Sequence, residues 1–358
     1  MKRVLLVSEA RRAGGAELYL ERLAVALPGW SAGIALPERP SLLAWRRRLE
    51  AAGIPVLPFT PTVAGWRRLA VRARGEATLV HVNLPSTYDG ACGALPAVLA
   101  AVSGKPVVTS EHLVHLERSR RRRWLKLRTA SLVRAVLVTS AAGKRALAGE
   151  GIPAGRIAVV LNGVPDPGGP FPFPPEDGSL VVSTLVALEP RKQVDLLLRA
   201  IAGCGARVRL EIGGDGPCRE SLEALARELG LGDRVRFHGT VADAAAFLAR
   251  SHVVALPSRL EGMPLVLLDA FACGRGVLAS DLPGMEEIVA EGSGLLLSRE
   301  DPGPWTKALE GAAGERSRAR AWGALARERF ERSFTLERSA VATARFYERV
   351  LSGDPVDA

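Results

Sequence analysis

The chain has 358 residues, room for two domains of ordinary size. With 47% hydrophobic and 24% charged residues it has a globular composition, which excludes a disordered or fibrous chain. The net charge of +10 is unevenly placed: through Gly168 there are 25 basic and 11 acidic residues, and beyond it 23 and 27, so the first half is suited to an anionic partner.

From the start, Met1–Ser8 reads as a first strand over Val4–Val7. Its apolar stretch is too short for a signal peptide, and Glu9, Arg11 and Arg12 follow at once. Gly14-Gly15-Ala16-Glu17 then opens a helix, and glycines there let backbone N–H groups approach a phosphate. A plain tight turn would look the same. Strands are predicted at Leu79–Val82, Val107–Thr109, Ala135–Thr139 and Ala158–Leu161. His112 ends the run that begins at Val107, where an active-site group would sit; His81 is a weaker competitor. Between Arg118 and Arg128 lie Arg120, Arg121, Arg122, Arg123 and Lys126, with Trp124 among them. Trp45-Arg-Arg-Arg48 and Trp66-Arg-Arg68 repeat the pairing. Cations beside Trp suit an anionic membrane surface; a solvated helix face in an Arg-rich chain is the plainer account, and no nucleic-acid reader motif is present.

Pro165 to Pro175 is too rich in proline for helix or central strand and predicts a linker. Strands follow at Leu180–Ser183, Val208–Ile212, Val235–His238, Val253–Leu256 and Val277–Ala279, and Ser333–Leu351 has helical period. Strand alternating with helix predicts an α/β fold, two Rossmann-like domains with parallel sheets covered on both faces. The expected boundaries are 1–167, a linker at 168–177, a second domain at 178–332, and a last helix at 333–358. No run approaches the ~20 apolar residues of a membrane-spanning helix. The four cysteines have no paired spacing, so a zinc site or disulfide framework is not expected and a reduced cytoplasmic setting is.

The segment Pro257 to Gly274 carries the most information. Pro257-Ser breaks a buried strand, and Pro264 fits the start of a helix. Glu261 falls in the loop just before that helix and Asp269 about a turn and a half inside it. Free N–H groups and a positive dipole end stand there for a phosphate. Two carboxylates on the same side suit sugar hydroxyls, although a capping Glu followed by a solvated Asp would give the same pattern.

Glu261-x7-Asp269 followed by Ala270-x-Ala272-x-Gly274 resembles the Glu-x7-Glu signature of retaining glycosyltransferases of family 4, which have the GT-B fold. Gly14-Gly15-Ala16-Glu17, Lys192, the Gly213–Pro217 turn, Phe237-His-Gly-Thr-Val241, Asp281–Ile288 and Asn162-Gly-Val164 match further points in the family's order over about residues 1 to 300. The resemblance implies two domains facing each other across a cleft, with the last helix crossing back to the first. It implies a nucleotide-diphosphate sugar as donor, bound by Gly14, Gly15, Arg191, Lys192, Thr240, Val241, Glu261, Gly262, Met263, Pro264, Leu265 and Asp269. It also puts His112 and Glu261 at the transferred sugar. No cofactor is implied, and the chain has no Asp-x-Asp pair, which fits metal-independent transfer. The expected acceptor is a glycan or lipid-linked precursor held by the basic first domain, in the cytoplasm or at the inner face of the membrane.

The departures from the family pattern include Ala187 for a phosphate-clamp Arg, Gln193 for a Gly, Asp269 for a Glu, Gly276 for a Pro and Pro165 for an Asp. Ala187, Gln193 and Asp269 keep open a relative of weak or no turnover that binds a nucleotide or scaffolds partners; a second rival is a sugar-nucleotide epimerase that needs no acceptor. A Rossmann oxidoreductase is disfavoured, since no Gly-x-Gly-x-x-Gly follows the first strand.

Overall fold

A computed structural model describes residues 1–84, 94–114, 119–175, 178–290 and 292–356. It divides the chain into two compact units, one of Met1–Gly163 with Leu336–Ala358 and one of Val164–Thr335.

The first unit runs β1 (Lys2–Ser8), α1 (Gly15–Ala26), β2 (Trp30–Pro37), α2 (Leu43–Ala51), β3 (Val56–Phe59), α3 (Val63–Glu76), β4 (Leu79–Leu84), α4 (Ala94–Ser103), β5 (Val107–Glu111), α5 (Arg120–Leu132), β6 (Ala135–Val138), α6 (Ala141–Glu150) and β7 (Ile157–Val159). Its strands form one parallel sheet in the order 3-2-1-4-5-6-7. The central strands are buried on both faces, which explains their unbroken Val and Leu runs.

The second unit continues with β8 (Leu180–Leu185), α7 (Val194–Gly203), β9 (Val208–Gly213), α8 (Arg219–Glu228), β10 (Val235–Gly239), α9 (Ala244–Leu248), β11 (Val253–Leu256), α10 (Leu265–Ala272), β12 (Gly276–Ser280), β13 (Gly294–Leu297), α11 (Gly303–Gly314) and α12 (Arg316–Ser333). Its parallel sheet has the order 10-9-8-11-12-13. The chain then returns to the first unit as α13 (Leu336–Ser352), packed on α1. Tyr347 of α13 places its hydroxyl 2.6 Å from His81 Nδ1, and Tyr19 of α1 meets Ser339 at 2.9 Å. His81, buried there, is pushed down to about 3 and is neutral in the fold. Its side chain is thus engaged in packing the last helix.

The Pro-rich segment is bonded to the second unit through Arg275. That side chain is 1% exposed. Its Nη1 donates to the carbonyls of Phe171, Cys273 and Gly274, and its Nη2 to those of Pro172 and Ala249. The Phe173 ring lies against the same guanidinium, and His252 donates to the Pro175 carbonyl at 3.2 Å. Gly276 also has a structural reason. A Cβ there would lie 2.4 Å from Cβ of Trp322, and one on Gly323 would lie 2.3 Å from the Gly274 carbonyl oxygen. Helix α12 therefore sits so close to the start of β12 that no proline fits at 276.

No described helix is long and apolar enough to cross a membrane.

Candidate functional site

Ligands of doubly wound sheets bind beyond the carboxyl ends of the strands, and each unit carries polar groups there. In the second unit the loop after β8 and the loop after β11 are joined by a bond from Arg259 N–H to the Arg191 carbonyl, 2.8 Å. This bond sets Lys192 beside Glu261, and Lys192 Nζ donates to Glu261 Oε1. The pair is mostly buried, with side chains 12% and 9% exposed. Burial holds the Lys192 ammonium below its usual range, and the Glu261 carboxylate works against that shift.

Arg191 Nη1 lies 3.9 Å from the same carboxylate oxygen, while its Nε is paired with Glu189 at 3.1 Å. Its charge thus lies beside the Lys192–Glu261 pair. Ala187 itself is flanked by two bonds, Val186 N–H to Gly213 and Leu188 N–H to Asp215. Gln193 is the one non-glycine residue with positive φ among the described residues, at 46°. The backbone therefore keeps the left-handed turn that glycine favours, at a cost of roughly 1–3 kcal/mol. The Gln193 side chain donates to the Arg299 carbonyl at 3.0 Å.

Helix α10 begins at Leu265, directly after Pro264, and its first-turn amides stand next to the Glu261–Gly262–Met263 loop. Met263, Pro264 and Leu265 are buried; Glu261, Gly262 and Asp269 are partly exposed. Thr240 and Val241 line a separate concavity of about 270 Å³ with His238, Asp243, Phe247 and Arg250. His238 is paired to Glu211 and stacked edge-on against Phe247. The Gly213-Gly214 turn beneath is tight: a Cβ on Gly214 would meet the Val186 carbonyl oxygen at 1.9 Å.

In the first unit Gly14 caps α1. Its N–H donates to Glu17 Oε2 and Ser8 Oγ donates to Glu17 Oε1, both at 3.1 Å. Glu17 is thus a buried capping residue. A Cβ on Gly15 would meet nothing within 4 Å, so the space beside this helix start is open, while the Gly14 amide itself is taken by Glu17. His112 follows β5, 5.6 Å from the Tyr19 ring of α1, with Nε2 2.6 Å from Asn83 Oδ1. With that oxygen as acceptor, Nε2 carries the proton and Nδ1 keeps its lone pair. Burial pushes His112 down to about 4, so its ring is neutral at neutral pH.

Asn83 and Tyr19 are the functional neighbours that the sequence reading missed. Lys126 is a correction: it is buried and donates to Glu111, leaving the basic surface. Arg120 to Arg123 and Arg128 remain exposed, as does Trp124, stacked under Arg128. Arg118 lies outside the described residues. A larger depression, about 720 Å³, lies at the amino ends of β6 and β7 between Arg134, Arg156 and Val356, away from the edge that carries His112.

Among known proteins, the profile described as Glycosyltransferase Family 4 matches residues 13–166, and that described as Glycosyl transferases group 1 matches 179–313. A D-inositol 3-phosphate glycosyltransferase of Gordonia bronchialis is 33% identical over 192 residues, 49% of this chain and 42% of that protein. A GDP-mannose-dependent alpha-(1-6)-phosphatidylinositol monomannoside mannosyltransferase of Mycolicibacterium smegmatis is 35% identical over 160 residues, 41% of this chain and 42% of that protein. The chain therefore spans well under half the length of these relatives. In fold it is similar to HepE of Anabaena, solved in complex with UDP, with a TM-score of 0.83 and 22% identity over 99% of this chain and all of that one. Sucrose-phosphate synthase from Thermosynechococcus elongatus gives 0.82 and 21% over the same shares.

Proposed function

The chain belongs to the group 1 glycosyltransferases of family 4, with the GT-B fold, and we propose that it is a hexosyltransferase that moves a sugar from a nucleoside-diphosphate donor to a glycan or lipid-linked acceptor with retention. The observation that carries this reading is the Lys192–Glu261 pair beside the first turn of α10. A leaving diphosphate gathers negative charge. Lys192, Arg191 and the α10 amides would stabilise it there without reorganising. Glu261 would then exchange its bond to Lys192 for the sugar's hydroxyls. In the first unit, the free Nδ1 of His112 would accept a sugar hydroxyl, and its neutrality keeps repulsion from the oxocarbenium-like transition state low. Asp269 would take the ribose hydroxyls, and Thr240 and Val241 would lie at the base.

Calorimetry with UDP, GDP, ADP and dTDP, without added metal, tests the donor site. One nucleotide should bind, and Asp269→Ala should weaken it by about tenfold, the effect of one good hydrogen-bonded contact. Binding of none of the four would remove the donor site and favour a relative that only scaffolds partners. Turnover of the sugar nucleotide with no acceptor present would favour the epimerase.

The exposed face of α5 is proposed to rest on anionic lipid, each cation near the headgroups contributing ~1 kcal/mol. Replacing Arg120 to Arg123 with Gln should release the protein from phosphatidylserine vesicles in a sedimentation assay. Unchanged sedimentation would retire the membrane role.

A further inference from the structure

Two charged groups at the carboxyl edge of the first sheet are unexplained by anything above. Glu9 follows β1 and Arg39 lies just past β2, its neighbour in the sheet. Both are partly buried. Burial raises the Glu9 carboxyl to about 7, with Arg39 as the opposing charge. Among the described residues neither side chain has a hydrogen bond or a close ion pair, and Arg39 Nε is fully enclosed without a partner. The nearby acid Glu38 is directed to Thr60, whose hydroxyl donates to it at 3.4 Å. The two loops are tied together, since Ser41 Oγ donates to the Arg11 carbonyl. An enclosed guanidinium nitrogen without a partner, beside a carboxyl drawn partly out of water, leaves room for a ligand that completes both.

We propose that Glu9 and Arg39 anchor the acceptor, and that the acceptor is a polyol bearing an oxyanion next to a hydroxyl. Glu9 takes the hydroxyl as a hydrogen-bond donor, and the planar fork of Arg39 takes the oxyanion. This assignment rests on the transferase reading, in which the first unit holds the acceptor.

Binding is measured on the full chain with matched probes: myo-inositol against myo-inositol 3-phosphate, glucose against glucose 6-phosphate and glucuronate, and inorganic phosphate alone. The charged polyols should bind at least about tenfold tighter than the neutral ones and tighter than inorganic phosphate. Arg39→Gln should bring the first ratio to about one, and Arg39→Lys should restore part of it. Glu9→Gln should abolish the preference over inorganic phosphate. Preference for glucuronate or for the phosphates identifies the oxyanion, and either supports the assignment. Absence of binding by every probe, or ratios that neither variant moves, overturns it. Nucleotide binding is measured on the same samples: its retention shows that the variants are folded. Its failure in the wild type would count against the transferase and leave the polyol result standing.

Discussion

Glu261→Ala should reduce turnover by ~10²–10³ while nucleotide binding persists, whereas Lys192→Ala should lose both. The difference follows from which partner each change strands. Removing the carboxylate deletes the sugar contact and leaves a buried ammonium whose natural replacement is the donor's diphosphate. The free Glu261→Ala protein should be less stable by about 3 kcal/mol, the lower end for a broken buried pair. Saturating nucleotide should then stabilise this variant more than it stabilises the wild type. Removing the lysine leaves a carboxylate that repels the diphosphate, so binding weakens and no ligand restores stability. Denaturant titrations with and without nucleotide, together with single-turnover rates, separate these outcomes. If Lys192→Ala binds nucleotide as the wild type does, the pair is a structural ion pair and the donor reading fails.

Arg275→Ala should destabilise the second unit by more than about 4 kcal/mol, in the range that single substitutions seldom reach. Five backbone carbonyls converge on its two terminal nitrogens. Deleting the guanidinium takes that donor from all five, of which the Cys273 carbonyl keeps the Phe171 N–H at 3.3 Å. Burial holds Arg275 below its usual range, yet it remains charged because no arginine loses its proton at neutral pH. Arg275→Lys should recover little, since one ammonium with three donors cannot meet five acceptors fanned around a plane. Limited proteolysis should show cleavage in the 164–175 segment in both variants before the rest of the unit opens. A midpoint within experimental error of the wild type would show that water serves those carbonyls equally well.

Much of this architecture was legible because buried parallel strands read as plain Val and Leu runs. Three strands were not. Strand β2 is diluted by Ser31, Ala32, Gly33 and Ala35, residues with weak strand preference. Strand β3 contains Pro58, which is tolerated only because β3 is an edge strand. Strand β13 is the opposite edge of the second sheet, and its three leucines suit a helix as well as a strand. The site was legible through Glu261, Lys192 and the helix start, where spacing along the chain carries the chemistry. The support of His112 was not, since Asn83 lies 29 positions away and no local pattern links them. Lys126 was misread for the same reason: it lies in a run of solvated arginines, while its partner Glu111 comes from β5. The departures at Gln193 and Gly276 have reasons that no local pattern shows: the first retains the glycine-like turn and the second makes room for Trp322.

The first unit is discontinuous, and this bears on how the protein is made. Strand β1 leaves the ribosome before any part of the second unit, but α1 and His81 must wait for Ser339 and Tyr347, 320 and 266 residues behind them. The second unit is a single stretch and can close while its sister still lacks a helix. Birth order and completion order are therefore reversed: the half synthesised first is finished after its sister, and until residue 352 has emerged the apolar face of α1 lacks the helix that covers it.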